Sequence, residues 1–366
     1  MAEGDPDRSE RELRADVATL SALDVLINER GFDLSRARKG AQLIPSGLSP
    51  ELHRFLPLIF SRGTQYFSTF GYLPAHVARR SDAFQLDGPD SIRISQVVSL
   101  EDDNIGLVPQ LTGPAVGKII ETLRSAGAHG FLTRQWMHSN LLPTLHYLSH
   151  AAWERGWTPE SAYQHLFGEL CGPEALGRIE RALLGIEKCT EDLHRNMLGI
   201  SFPVPTWITN LWSGCGDRAD ALAPQVLTDI ASGYEHAADE LERAIGASRP
   251  AGRSYLRSLE RHTRHAVHYL NALVELVAAF HARKDAARAR EARLFEPSNA
   301  SSEAAADHLE RCAELMRRAC TTFAEGVRDR CDLGALASLN SYSLDIVDAL
   351  ARLARAEASM FSLEED

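Results

Sequence analysis

Apolar residues recur three to four positions apart from Arg11 to Arg30, at Leu13, Val17, Leu20, Leu23, Leu26 and Ile27, which is one face of an amphipathic helix. The pattern then changes to strand-like runs. Residues 42–47 form a short apolar stretch closed by Pro45 and Gly47, and Ser49-Pro50-Glu51 marks the start of a helix reaching about Ser61, with proline at its first helical position. Residues 64–70 are rich in β-formers and end at Gly71. Residues 91–100 alternate before becoming apolar, and residues 114–126 return to a helical period. A glycine-bounded turn at 127–130 leads into a last strand-like run at 131–136. Four strands spaced by helices predict βα units and a parallel sheet, although the crossover at 73–90 is polar and weakly patterned.

A complete (β/α)-barrel usually needs ~200–250 residues, so the part before residue 142 is too short for one. The expected fold is therefore α/β followed by all-α. It has a partial (β/α)-barrel of about four parallel strands over residues 1–141, or another fold using four strands, and a helical C-terminal domain over 142–366. Beyond residue 142 only helical periods appear, at about 143–155, 159–170, 173–197, 218–246, 252–292, 302–330 and 333–361. In the longest of these, Leu259, Val267, Leu270, Leu273, Val274 and Val277 form an apolar stripe opposed by Arg and Glu.

Charge narrows the function classes. With 39 basic against 50 acidic residues the net charge is −11, which argues against a sequence-independent grip on nucleic acid. There is no run of ~18 apolar residues, and the start is charged, so neither a membrane span nor a secretion signal is expected and a cytoplasmic location is. The six cysteines lie in the helical part without a CxxC pair and read as reduced packing residues.

Candidate chemistry lies at the ends of the expected strands, where ligands bind in parallel α/β architectures. Glu101, Asp102 and Asp103 directly follow the 91–100 run; if strand geometry persists, Glu101 and Asp103 share one face and Asp102 takes the other. One of them would act as acid, base or hydroxyl acceptor; the alternative is an acidic loop capping the next helix. At the end of the last strand, Arg134 suits a carboxylate clamp, Trp136 offers a flat apolar face to a sugar ring, and His138 and Asn140 suit hydroxyls. The alternative there is that Trp136 fills the barrel and Arg134 partners the acidic cluster. Tyr66, Tyr72 and His76 after the second strand, and Gln110 after Pro109, are further polar candidates, for which a structural reading is the commoner one. His262, His265 and His268 are spaced three apart, which turns them progressively away from one another on a helix, so no zinc site is expected there. No Gly-rich phosphate loop, GxSxG elbow or HExxH is present, and neither a cofactor nor a metal is expected.

Residues 97–110, 127–140 and 143–153 together resemble the last strands of bacterial (β/α)-barrel glycoside hydrolases of the α-glucuronidase and β-hexosaminidase-like kind. In those enzymes a tryptophan-bearing strand ends the barrel and runs directly into a helical C-terminal domain, as Thr158-Pro159-Glu160 does here; the resemblance covers roughly 40–200. It implies a saccharide site made by Glu101, Asp102, Asp103, Arg134, Trp136 and Asn140. It also implies a gap, because such enzymes generally take one catalytic carboxylate from an earlier barrel strand. Hydrolysis needs two carboxyl groups ~5–5.5 Å apart for retention or ~6.5–9.5 Å for inversion. The other acidic residues of the strand region, Glu51, Asp82, Asp87 and Asp90, end no clear strand. The expectation is a glycoside-hydrolase-like protein that acts on or binds a saccharide, partnered by a second copy or by a chain carrying the complementary barrel half. The alternative is a non-catalytic carbohydrate-binding or protein-interaction protein, or a truncated fragment of a larger glycosidase.

Overall fold

A computed structural model describes residues 65–69, 78, 93–101, 107–125, 127, 130–134, 139–196, 207–212 and 223–362, with part of 11–25. The chain divides into two compact units. One comprises Met1–Glu101 and Pro114–Gln135, the other Asp102–Gly113 and Trp136–Asp366. The division is discontinuous, because the segment after Glu101 belongs to the helical unit.

In the first unit, β1 (Gln65–Thr69), β2 (Arg93–Ser99) and β3 (Gly130–Arg134) form a parallel sheet in sequence order. Three of the expected strands are thus present, and the one at 42–47 lies outside the described residues. The register aligns Phe67 with Ser95 and Val97 with Leu132, and it ends with Ser99 opposite Arg134. Helix α1 (Gly113–Ser125) provides the crossover between β2 and β3. It buries Val116, Ile119, Ile120 and Leu123, the three-four spacing of a single apolar face. The sheet is covered unevenly, with Val98 2% exposed and Leu132 48% exposed. The expected helix at 11–30 is helical at its described residues, yet Val17, on the expected apolar stripe, is 47% exposed.

The second unit is helical. In order it contains α2 (Leu142–Ala151), α3 (Pro159–Cys171), α4 (Pro173–Arg195), the short α5 (Trp207–Trp212), α6 (Pro224–Ala247), α7 (Pro250–Glu291), α8 (Phe295–Gly326), α9 (Arg330–Leu339) and α10 (Asp345–Ser362). Helices α2, α3, α4, α6 and α7 each carry proline in the first turn, where its missing N–H costs nothing and its fixed φ suits the helix. Gly172, at φ 87, separates α3 from α4. The 42-residue α7 buries Leu256, Leu259, Leu270, Leu273 and Leu276, while α8 turns Ala306, Cys312, Ala313, Ala319 and Phe323 inward. Small Ala and Cys side chains let the two helices approach closely. Their connection is set by Arg293 at φ 58. Leu294 N–H bonds Ala289 O (2.8 Å) and Arg293 N–H bonds Arg290 O (2.9 Å), the hydrogen-bond pair of a Schellman helix end.

The helix expected over 333–361 is interrupted at Asn340–Leu344, where the backbone widens into a π-helical turn that buries Ser343. Four cysteines, Cys171, Cys189, Cys312 and Cys320, are buried free thiols and Cys331 is exposed; Cys215 lies outside the described residues. Among the described residues, no helix is long and apolar enough to cross a membrane.

Candidate functional site

The parallel sheet brings the carboxyl ends of its strands to one edge. Ser99 and Arg134 are backbone neighbours there, and Glu101 follows two residues after Ser99. Glu101 is 5% exposed, so its carboxylate is withdrawn from bulk water rather than displayed on a solvated loop. Asp102, Asp103, Tyr72, His76, Trp136 and His138 lie outside the described residues, and the backbones of Arg134 and Tyr66 are placed in β3 and β1.

After the acidic cluster, residues 107–112 are all buried within the helical unit, where several of their polar groups find partners. Tyr234 Oη donates to Pro109 O (2.7 Å), and Leu111 N–H donates to Thr190 Oγ1 (3.0 Å), whose own hydroxyl donates to Ile186 O (2.8 Å). Gln110 Oε1 stands 3.4 Å from His194 Nε2. Gly113 completes the seat, because a Cβ there would collide with Tyr163 Oη. The segment leaving the acidic cluster is therefore bolted to α4 and α6. Gln110, a candidate for substrate contact, faces a histidine of this seat.

Asn140 sits in a 3-10 turn over Ser139–Leu141 and is 3% exposed. Its Oδ1 lies 3.2 Å from His262 Nδ1, and the His262 ring stacks on Phe323 with centroids 4.6 Å apart. His265 Nδ1–H donates to Ala319 O (2.9 Å). His268 has its pKa lowered by burial, then by Arg318 and Arg264, against the opposing pull of Glu235. Two of these histidines thus have separate core partners and the third sits among charged side chains.

No family model matches the chain, and no curated protein matches it. A solved structure does. It is that of a GH138 enzyme targeting pectin rhamnogalacturonan II, which superposes with a TM-score of 0.52 at 10% identity. The match covers 87% of this chain and 44% of that one. The fold is similar to part of that enzyme's fold. At this identity the likeness concerns the fold, and the chain spans less than half the length of the protein it matches.

Two further groups are not singled out by local sequence. Glu187 on α4 accepts a hydrogen bond from Tyr163 Oη on α3 (3.0 Å). Burial pushes its carboxyl up to about 7, with Glu160 adding to the rise and the tyrosine opposing it. The same burial and the Glu187 charge raise the Tyr163 phenol. Nothing local marks this pair, since it is made between residues of two helices. The other group is His146, His150 and His165, whose ring nitrogens gather on α2 and α3. Burial, then His150 and His165, lower the pKa of His146, and Glu169 pulls the other way. A signal existed here: His146 and His150 are four apart on one helix, a spacing that aligns two imidazoles.

Proposed function

We propose that the chain is a glycoside-hydrolase-like protein that acts on or binds a saccharide at the carboxyl ends of a partial (β/α)-barrel. One of Glu101, Asp102 and Asp103 serves as acid or base, with Arg134 orienting it or the sugar. Trp136 stacks on the sugar, and His138 and Tyr72 reach its hydroxyls. The observation that carries the reading is the pairing of Ser99 with Arg134 in a parallel sheet, two residues before the buried Glu101, within a glycoside-hydrolase-like fold. A glucuronide or hexosaminide specificity follows from the sequence resemblance alone.

The test is hydrolysis of an aryl glycoside panel, including glucuronides and N-acetylhexosaminides, by the chain beside Glu101→Gln and Asp103→Asn variants. Turnover by the parent and a loss of at least ~100-fold in one variant is the expected result. Absence of turnover from folded protein on every substrate defeats the catalytic reading. A second reading, a binding protein or one part of a larger glycosidase, is favoured by the 44% span of the solved neighbour. The exposed Leu132 on β3 supports a covering partner, either a second copy or a complementary chain. Sedimentation of the chain as a stable monomer would count against it.

A further inference from the structure

Helices α2 and α3 form a hairpin whose turn is fixed by a capping box. Thr158 N–H donates to Ser161 Oγ (3.0 Å) and Ser161 N–H donates to Thr158 Oγ1 (3.2 Å). Tyr147, Leu148, Ala151, Tyr163 and Phe167 pack inward, which leaves His146, His150 and His165 together along the outer seam. One nitrogen from each ring lies within 4.8 Å of the other two. The closest pair, His146 Nε2 and His165 Nδ1, is 3.1 Å apart. In tetrahedral zinc coordination, with Zn–N of about 2.0–2.1 Å, ligand nitrogens stand about 3.3 Å from each other, so this edge is already at ligand spacing. The third nitrogen needs a shift of up to about 1.5 Å, within the reach of a side-chain rotation.

Two outer contacts flank the cluster. Glu169, four residues after His165 on α3, places Oε1 3.7 Å from His165 Nε2, the nitrogen opposite the one that meets His146. A carboxylate on the outer nitrogen fixes the tautomer and raises ligand basicity. Trp157 stacks on His150 with centroids 4.1 Å apart and is itself anchored by Nε1–H donating to Glu154 Oε2 (2.8 Å). The side chain of His165 is 44% exposed, which leaves the fourth position open to water.

We propose that His146, His150 and His165 form a binding site for a divalent first-row transition-metal ion of the Zn²⁺ class, clamping the α2–α3 hairpin with Glu169 as the outer carboxylate. Three neutral imidazoles suit Zn²⁺, Co²⁺, Ni²⁺ or Cu²⁺ and not Mg²⁺ or Ca²⁺, which prefer oxygen. The proton now shared between His146 Nε2 and His165 Nδ1 moves to an outer ring nitrogen on binding; for His165 that nitrogen faces Glu169. This site stands apart from the saccharide reading and neither depends on the other.

The experiment is titration of the tag-free, chelator-treated chain with Co²⁺, followed by its visible absorption, with Zn²⁺ as competitor. One equivalent is expected to bind, displaced by Zn²⁺ and not by Mg²⁺. His146→Gln and His165→Gln should each lower affinity at least ~100-fold, whereas Glu169→Gln should lower it ~10-fold with the stoichiometry kept. Cu²⁺ should quench Trp157 fluorescence in the parent, and Trp157→Phe should lose that quenching while still binding. Should a histidine variant misfold, Zn²⁺ protection of these three residues from carbethoxylation, mapped by mass spectrometry on the unaltered chain, gives the same answer. No binding by the parent, undiminished binding by a folded His146→Gln/His165→Gln double variant, or absence of protection would each overturn the site.

Discussion

The strand unit and the helical unit solve the problem of burial differently. In the helical unit, each long helix turns a full apolar face into one continuous core that runs from Leu107 through α3, α4, α6, α7 and α8 to Ala354. In the strand unit, α1 buries its own face, yet Leu132 in β3 is 48% exposed beside a strand whose Val98 is 2% exposed. A closed core makes stability sensitive to single atoms, whereas an open sheet face tolerates change and invites a partner. Among the described residues, the continuous core lies in the helical part and the candidate chemistry at the sheet edge.

That contrast is broken most sharply by cutting into the helical core. Phe323→Ala removes a fully buried ring that stacks on His262 and is expected to cost about 3–5 kcal/mol, read as a lower denaturation midpoint of the helical circular dichroism signal. A cost below about 1 kcal/mol would mean that the core is not close-packed there.

A smaller effect separates burial from charge. The Glu187 carboxyl is held near 7 in the fold against 4.5 as its ordinary value, so the fold binds its proton more tightly than the unfolded chain does. This contribution is fully present below about 4.5 and is lost as pH rises through 7. Glu187→Gln keeps an acceptor for Tyr163 and removes the titration. It should flatten the decline in stability between those pH values by on the order of 2–3 kcal/mol, and equal pH profiles for the two proteins would refute the buried-carboxyl account.

The smallest effect is expected in the sheet. Leu132→Thr retains β-propensity while removing exposed apolar area, and stability should change by no more than about 0.5 kcal/mol in the isolated chain. If the chain self-associates through this face, the same change should weaken the association in sedimentation.

Much of the architecture was legible along the chain. The runs at 64–70, 91–100 and 131–136 became β1, β2 and β3, and the period at 252–292 became α7 almost to the residue. The break at Asn340–Leu344 was not legible, because Asn, Ser and Tyr in that stretch offer neither proline nor glycine to mark a change of helical pitch. At the candidate site, the place of Glu101 directly after β2 was legible from the end of an apolar strand, but the partners of Gln110 and Asn140 were not. Both read as polar residues near a ligand, and the structure pairs them with His194 and His262, 84 and 122 residues distant along the chain.

The sequence by itself determined the order, type and approximate bounds of most described elements, since periods of two and 3.6, proline-led helix starts and glycine breaks act over a few neighbouring residues. Only the tertiary structure decided which polar groups meet. Leu111 finds Thr190 across 79 residues, Tyr163 finds Glu187 across 24, and His146 finds His165 across 19. Such meetings depend on how helices close and pack against one another, and no local period in the chain encodes that registry.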